Sequence, residues 1–143
     1  MHSMALDIGE RRIGIAVSES GVFATPHSVF SRKSKKEDFA RVQHLIDELK
    51  IERVIVGLPY SLSGSKEMGP QARRIKRYAE ALAKAVTAPI DFVDESYSTA
   101  DAEIYRALNR RKSNRRVKAP IDDVAAAVIL QRYLDTTRRR SAE

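Results

Sequence analysis

Three groups of carboxylates stand where chemistry could be done. Asp7 closes the apolar run Met4-Ala5-Leu6-Asp7-Ile8-Gly9, a place where a charge is expensive unless it has a use. Asp94-Glu95 closes a second apolar run that starts at Ile90. Asp122-Asp123 opens an alanine- and valine-rich segment that reads as a helix. In α/β sheets, sites gather at the carboxyl ends of strands, and two of these groups lie at such ends. Separated carboxylates that converge in space suit hard divalent cations, Mg²⁺ or Mn²⁺, which prefer oxygen ligands. Two such ions can activate an attacking water and stabilise the leaving oxygen of a phosphodiester, with no protein nucleophile. Cysteine is absent, so disulfides and thiolate zinc sites are excluded. His2, His27 and His44 lack metal-ligand spacing and read as surface or terminal residues. Each acid also has a structural use. Asp7 could close a hairpin, Asp94 could be a strand-end turn residue, and Asp122 and Asp123 could favour the positive end of a helix. Ser98 reads as a helix cap rather than a nucleophile.

The basic residues indicate what such a site would act on. Net charge is +7, and the second half carries most of it: residues 72–143 hold 16 Lys and Arg against 10 Asp and Glu. That bias favours a polyanionic partner. Arg110, Arg111, Lys112, Arg115, Arg116 and Lys118 fall immediately before Asp122, in what reads as an exposed loop. A cationic segment beside an acidic site would hold phosphates. No aromatics are interleaved there, so backbone and shape recognition is expected rather than base stacking. Arg73, Arg74, Lys76 and Arg77 crowd the first turns of a helix expected to open at Pro70.

The elements that must position these residues follow from periodicity. Residues 4–9, 13–18 and 23–30 read as strands, the first two joined by a hairpin, with Pro26 at an edge or near a start. Phe39, Val42, Leu45, Ile46 and Leu49 share one helical face. Arg53 to Leu58 is a continuous apolar run, as in a strand covered on both faces. A helix from Pro70 to the stop at Pro89 and a strand at 90–94 follow. Ser98-Thr99-Ala100-Asp101 has the form of a capping box for another helix, and a largely buried helix is expected from about Ile121 to Leu134. The reading is one α/β domain over residues 1–143, with a core at 4–135, a basic tail at 136–143, and a mixed sheet: an antiparallel meander, then β-α-β crossovers. Apolar residues make up 43%, enough for a core, and no apolar run approaches the roughly 18 residues of a membrane span. A cytoplasmic protein without a membrane partner is expected.

Asp7-Ile8-Gly9 with Gly14 resembles the phosphate hairpin of actin-like and sugar-kinase ATPases, but those enzymes place two such domains around a nucleotide. A fuller resemblance covers Met4 to Asp135. MALDIGERRIGIAVSES, VIVGLPYSLSG, GPQARRIKRYAEAL, VDESYSTADAE and APIDDVAAAVILQRYLD, in that order, resemble the YqgF/RuvX family. The resemblance implies an RNase H-like fold with a five-stranded sheet, related to the junction resolvase RuvC, and a metal-dependent nuclease of bacterial cytoplasm. Two roles come with it: maturation of the 5′ end of the small-subunit ribosomal RNA precursor, and Holliday-junction resolution. It puts the catalytic, metal-binding acids at Asp7, Glu95 and Asp122, with Asp123 as a neighbour. The sequence departs from the family at Ser96, where relatives carry Arg, and at residues 60–64, where relatives often carry Asn and Asp. Arg12 could take over the missing arginine's task. The resulting expectation is a phosphodiester hydrolase using one or two Mg²⁺ or Mn²⁺ ions. Arg12, Arg73, Arg74, Arg77 and the cations of residues 110–118 would hold structured RNA or branched DNA. The protein would act as a monomer or as a two-fold dimer, which a resolvase favours. A non-catalytic RNA-binding assembly factor on the same fold remains open.

Overall fold

The architecture is that of a computed structural model that describes residues 1–59, 69–94 and 122–142, with the side chains of residues 122 and 139–142 outside the description. Five strands form one sheet in the order β3-β2-β1-β4-β5. They are β1 (Ser3–Ile8), β2 (Arg12–Ser18), β3 (Thr25–Ser31), β4 (Arg53–Leu58) and β5 (Ile90–Asp94). Three helices lie among the described residues: α1 (Lys35–Leu49), α2 (Pro70–Ala85) and α3 (Asp122–Ala142). β1 is antiparallel to β2 and parallel to β4, β3 is antiparallel to β2, and β5 is parallel to β4. This is the mixed sheet that the sequence predicts.

Strand alternation sends side chains to two different layers. Met4, Leu6 and Ile8 of β1 join Ile13, Ile15, Val54, Val56 and Leu58 in a core roofed by α1 and α2. Ala5, Ala16 and Ile55 face the other way, against Ala126, Ala127, Ile129, Leu130 and Leu134 of α3. The four alanines of this second core are at most 1% exposed, and their small side chains let α3 lie close over the sheet.

Local chemistry sets the element ends. The Ser34 hydroxyl accepts from the Glu37 amide at 3.1 Å and caps α1. α1 ends at Lys50 in the left-handed region, with φ 54°. His2, expected to be a surface or terminal residue, places Nδ1 3.0 Å from the Leu49 carbonyl and helps close that end. Pro70 starts α2, as expected. Pro26 sits on the edge strand β3, opposite Ala16, where the pairing with β2 shifts register.

α3 is longer than its apolar stripe predicts. It continues past Leu134 through most of the expected basic tail, to Ala142. The hydroxyls of Thr136 and Thr137 donate to the carbonyls of Arg132 and Tyr133 at 2.9 Å, and Arg138 pairs with Asp135 at 3.9 Å. The expected helix opening at residues 98–101 and the loop at 109–119 lie outside the described residues.

Candidate active site

Asp7 is the next-to-last residue of β1 and shares the face of Ala5, so its carboxylate is on the α3 side of the sheet. Its environment is set by its neighbours in register. Gly14 is its partner on β2. On the other side, Leu6 pairs with Val56, and the next step of that register puts Gly57 beside Asp7. Gly57 in turn pairs with Val93 of β5. Asp7 is thus the one side chain in the run Gly14-Asp7-Gly57, half-buried, with no Cβ on either flank. Both glycines are buried, and glycine within a strand marks a place where another group can approach the backbone closely.

The turn after Asp7 is tight. The Gly9 amide donates to the Arg12 carbonyl at 2.9 Å, and a Cβ on Gly9 would lie 2.9 Å from that same oxygen. The turn brings Arg12 back beside Gly9, exposed, on the α3 face by the alternation of β2. Arg12 and Asp7 thus lie on the same face of the sheet.

α3 supplies the second acidic position. Gln131 ties the helix to the β2–β3 connection: its amide donates to the Val22 carbonyl at 2.9 Å, and its carbonyl accepts from the Ala24 amide at 2.9 Å. That connection lies beside the start of β1, because Ser3 pairs with Ser18. Asp123 lies eight residues earlier, about 12 Å back along the axis, on the helix that packs over the face carrying Asp7. Farther along the helix, the Tyr133 hydroxyl donates to Asp91 Oδ2 at 3.2 Å, and Arg132 Nη1 donates to the Asp94 carbonyl at 3.1 Å. Arg53 pairs with the same Asp91 carboxylate, which holds its guanidinium pKa above the usual value.

Asp123 is 6% exposed in the first turn of α3, and both it and Asp7 have interaction partners within the fold. Asp122 starts the helix, but its side chain is outside the described residues, as are Glu95 and all the cations of residues 110–118. Among the described residues no three acidic or histidine side chains come together as a metal cage. The donor chemistry nevertheless fits a hard cation: one carboxylate stands between two glycines, and an acidic helix start lies over the same face.

The arginines of α2 are placed differently from the expectation of a single surface. Arg73, Arg74 and Arg77 are exposed, but α2 covers the opposite side of the sheet from Asp7. Arg74 and Arg77 instead line a cavity with Arg32 and Lys35, two cations that sequence reasoning passed over. The signal was available in the run Arg32-Lys33-Ser34-Lys35-Lys36, which leads into α1.

The comparisons with known proteins concern the family and the fold. A protein of Syntrophomonas wolfei described as "Putative pre-16S rRNA nuclease" is 43% identical over 136 residues, 94% of each chain. Relatives of the same description from Chloroflexus aurantiacus and Thermoanaerobacter pseudethanolicus are 39% and 36% identical, over 94% and 98% of this chain and 87% and 100% of their own. Among solved structures, Thermus thermophilus RuvC in complex with a Holliday junction substrate superposes with a TM-score of 0.66 at 13% identity, covering 99% of this chain and 97% of that one. The fowlpox virus resolvase bound to junction DNA gives 0.54 at 10% identity, over 96% and 99%. The fold is therefore that of the RuvC-like, RNase H-type resolvases. Residues 1–136 match the family described as "RuvX: Holliday junction resolvase", and the chain belongs to that family.

Proposed function

We propose that this chain is a divalent-metal-dependent endonuclease that hydrolyses phosphodiester bonds in the precursor of the small-subunit ribosomal RNA. The observation that carries the reading is the position of Asp7: a half-buried carboxylate at the carboxyl end of the central strand, flanked by Gly14 and the adjacent Gly57 and faced by the acidic start of α3. The names of relatives up to 43% identical over 94% of the chain supply the substrate.

In this reading Asp7, Asp122 and Glu95 hold one or two Mg²⁺ or Mn²⁺ ions, which when bound supply charge neutralisation and activation of the attacking water. The protein's own part is positional. β1 fixes Asp7 by its pairing with Gly14 on β2 and by the ladder with β4 that runs up to Leu6. α3 carries its acidic end to the same face, held by Gln131, Arg132 and Tyr133. The glycines on either side of Asp7 admit the phosphodiester backbone, and Arg12 offers a cation at the rim. The cations of residues 110–118 extend the hold on the strand.

The family description favours a second reading, resolution of four-way DNA junctions. One cleavage panel separates the two. Purified protein is given precursor ribosomal RNA and four-way DNA junctions, with Mg²⁺, with Mn²⁺ and with EDTA, beside Asp7→Asn. The proposal expects metal-dependent cleavage of the RNA, with junctions cut poorly, and loss of cleavage in Asp7→Asn with an unchanged melting temperature. Paired, symmetric nicking of junctions alone would favour the resolvase. Wild-type protein that binds RNA but cuts nothing would leave the assembly-factor reading standing.

A further inference from the structure

On the far side of the β1–β2 turn from Asp7 is a cavity of about 450 Å³. Three segments distant in sequence build it: the turn at Gly9 and Glu10, the entry to α1 with Arg32 and Lys35, and the first turns of α2 with Arg74 and Arg77. Four cations face one carboxylate there. The Arg74–Glu10 pair, at 3.7 Å and largely exposed, is loose and screened by solvent.

Arg32 differs from the other three in being held. Its Nη1 donates to the Gly9 carbonyl at 2.7 Å, and its guanidinium carbon stands 4.3 Å over the centre of the Tyr78 ring. Tyr78 is itself fixed, because its hydroxyl donates to Asp38 at 3.0 Å, and Asp38 is 3% exposed. A guanidinium anchored by a backbone carbonyl and an aromatic face is pre-organised, so little rotamer freedom is lost when it takes a ligand. A planar fork with flanking ammonium and guanidinium groups matches the oxygens of a phosphate. The cavity also opens close to Asp7: Gly9, on its wall, is two residues farther along the chain, at most about 7 Å away along the backbone.

We propose that this cavity is a second phosphate-binding site, which takes a phosphate of the nucleic-acid strand away from the bond at Asp7, with Arg32 as its fixed donor and Lys35, Arg74 and Arg77 as its rim. The proposal rests on the reading of this chain as one that acts on nucleic acid. It adds a contact on the α1–α2 side of the sheet, so that the strand wraps the β1–β2 turn and touches both layers. The phosphate is either a terminal 5′ monoester or an internal diester, and the two share the chemistry of recognition.

The test is binding without catalysis. Full-length wild type, Arg32→Gln and Lys35→Gln are titrated, in EDTA and over a range of salt, with one short single-stranded RNA in 5′-phosphorylated and 5′-hydroxyl forms. Each substitution is expected to weaken binding about tenfold, as loss of a charge-assisted hydrogen bond would. Each should also lower the salt slope by roughly one unit. A loss confined to the phosphorylated RNA assigns the terminal monoester, and equal losses for both assign an internal diester. Unchanged affinity and slope in both variants, or no binding of either RNA by wild type, would overturn the site. Lys35 is exposed on the first turn of α1, so Lys35→Gln stays informative if Arg32→Gln unfolds. Cleavage is not read, so failure of the nuclease reading leaves this result intact, and the reverse also holds.

Discussion

The Tyr78 hydroxyl donates to Asp38 Oδ2 at 3.0 Å and so ties α2 to the start of α1 through a carboxylate that is 3% exposed. The other oxygen of Asp38 accepts from the Lys33 amide at 3.0 Å. The buried charge is thus divided between one helix and the entry to the other. Phe39 packs edge-on against the Tyr78 ring, 5.2 Å between centroids.

Tyr78→Phe should lower stability at pH 8 by about 1–3 kcal/mol, because it leaves a buried carboxylate short of a donor. Burial, and then the bond to Asp38, push the Tyr78 pKa up from its ordinary value of 10.0. The folded protein keeps a proton that the unfolded chain releases above about pH 10. This contribution is therefore complete below that pH and declines as pH rises past it. Denaturant melts from pH 8 to 11 should show the gap between wild type and Tyr78→Phe narrowing above pH 10. A constant gap would show that the hydroxyl contributes no such linkage.

Gln131→Ala should cost about 1–2 kcal/mol, since the Ala24 amide and the Val22 carbonyl, both half-buried, lose their partner. The effect should be local as well as global. Hydrogen exchange at the Ala24 amide is expected to accelerate more than exchange in β1. Equal acceleration at both would mean that Gln131 does not pin this segment on its own.

Gly57→Ala should act on cleavage far more than on folding. Alanine suits a strand better than glycine by roughly 0.5–1 kcal/mol, but the new methyl group stands on the α3 face beside Asp7. We expect catalysis to fall by about tenfold or more, in line with displacement of a closely held reactant, and a melting temperature within a few degrees of wild type. Unimpaired cleavage would mean that the substrate does not approach over Gly57.

Asp122→Asn should abolish cleavage while Asp123→Asn keeps most of it. Adjacent helical residues point about 100° apart, so the two acids cannot serve one ion alike. The proposed reading takes Asp122 as the ligand, and Asp123 is 6% exposed. Metal-free Asp122→Asn should be at least as stable as wild type and should gain less on addition of Mn²⁺. Thermal melts with and without Mn²⁺, beside cleavage assays, check both variants. An inactive Asp123→Asn with an active Asp122→Asn would move the site by one residue.

Much of the frame was legible because burial imposes a period. The continuous apolar run at 53–58 is a strand covered on both faces, and Val42 and Ile46 are buried where the helical spacing put them. Asp7 stood out because a charge inside a buried strand is costly without a use. What the sequence hid depends on neighbours set by register. No spacing rule announces that Gly14 and Gly57, 43 positions apart, flank the same aspartate. The cationic cavity was hidden for the same reason, since Arg32, Lys35, Arg74 and Arg77 belong to two helices and a loop that meet only after folding. The end of α3 was missed because residues 135–142 carry no apolar stripe that would announce a helix.

The position of β1 in the middle of the sheet, paired with β2 on one side and β4 on the other, governs how the site fails. A strand bonded along both edges opens only in the deepest excursions of the native state, while edge strands and helix ends fray at small cost. A carboxylate mounted there keeps its place for as long as the domain is folded. Destabilising changes in either hydrophobic layer should then thin the population of competent molecules while each survivor works at full rate. Damage to the scaffold would be read as missing protein rather than as a slow enzyme.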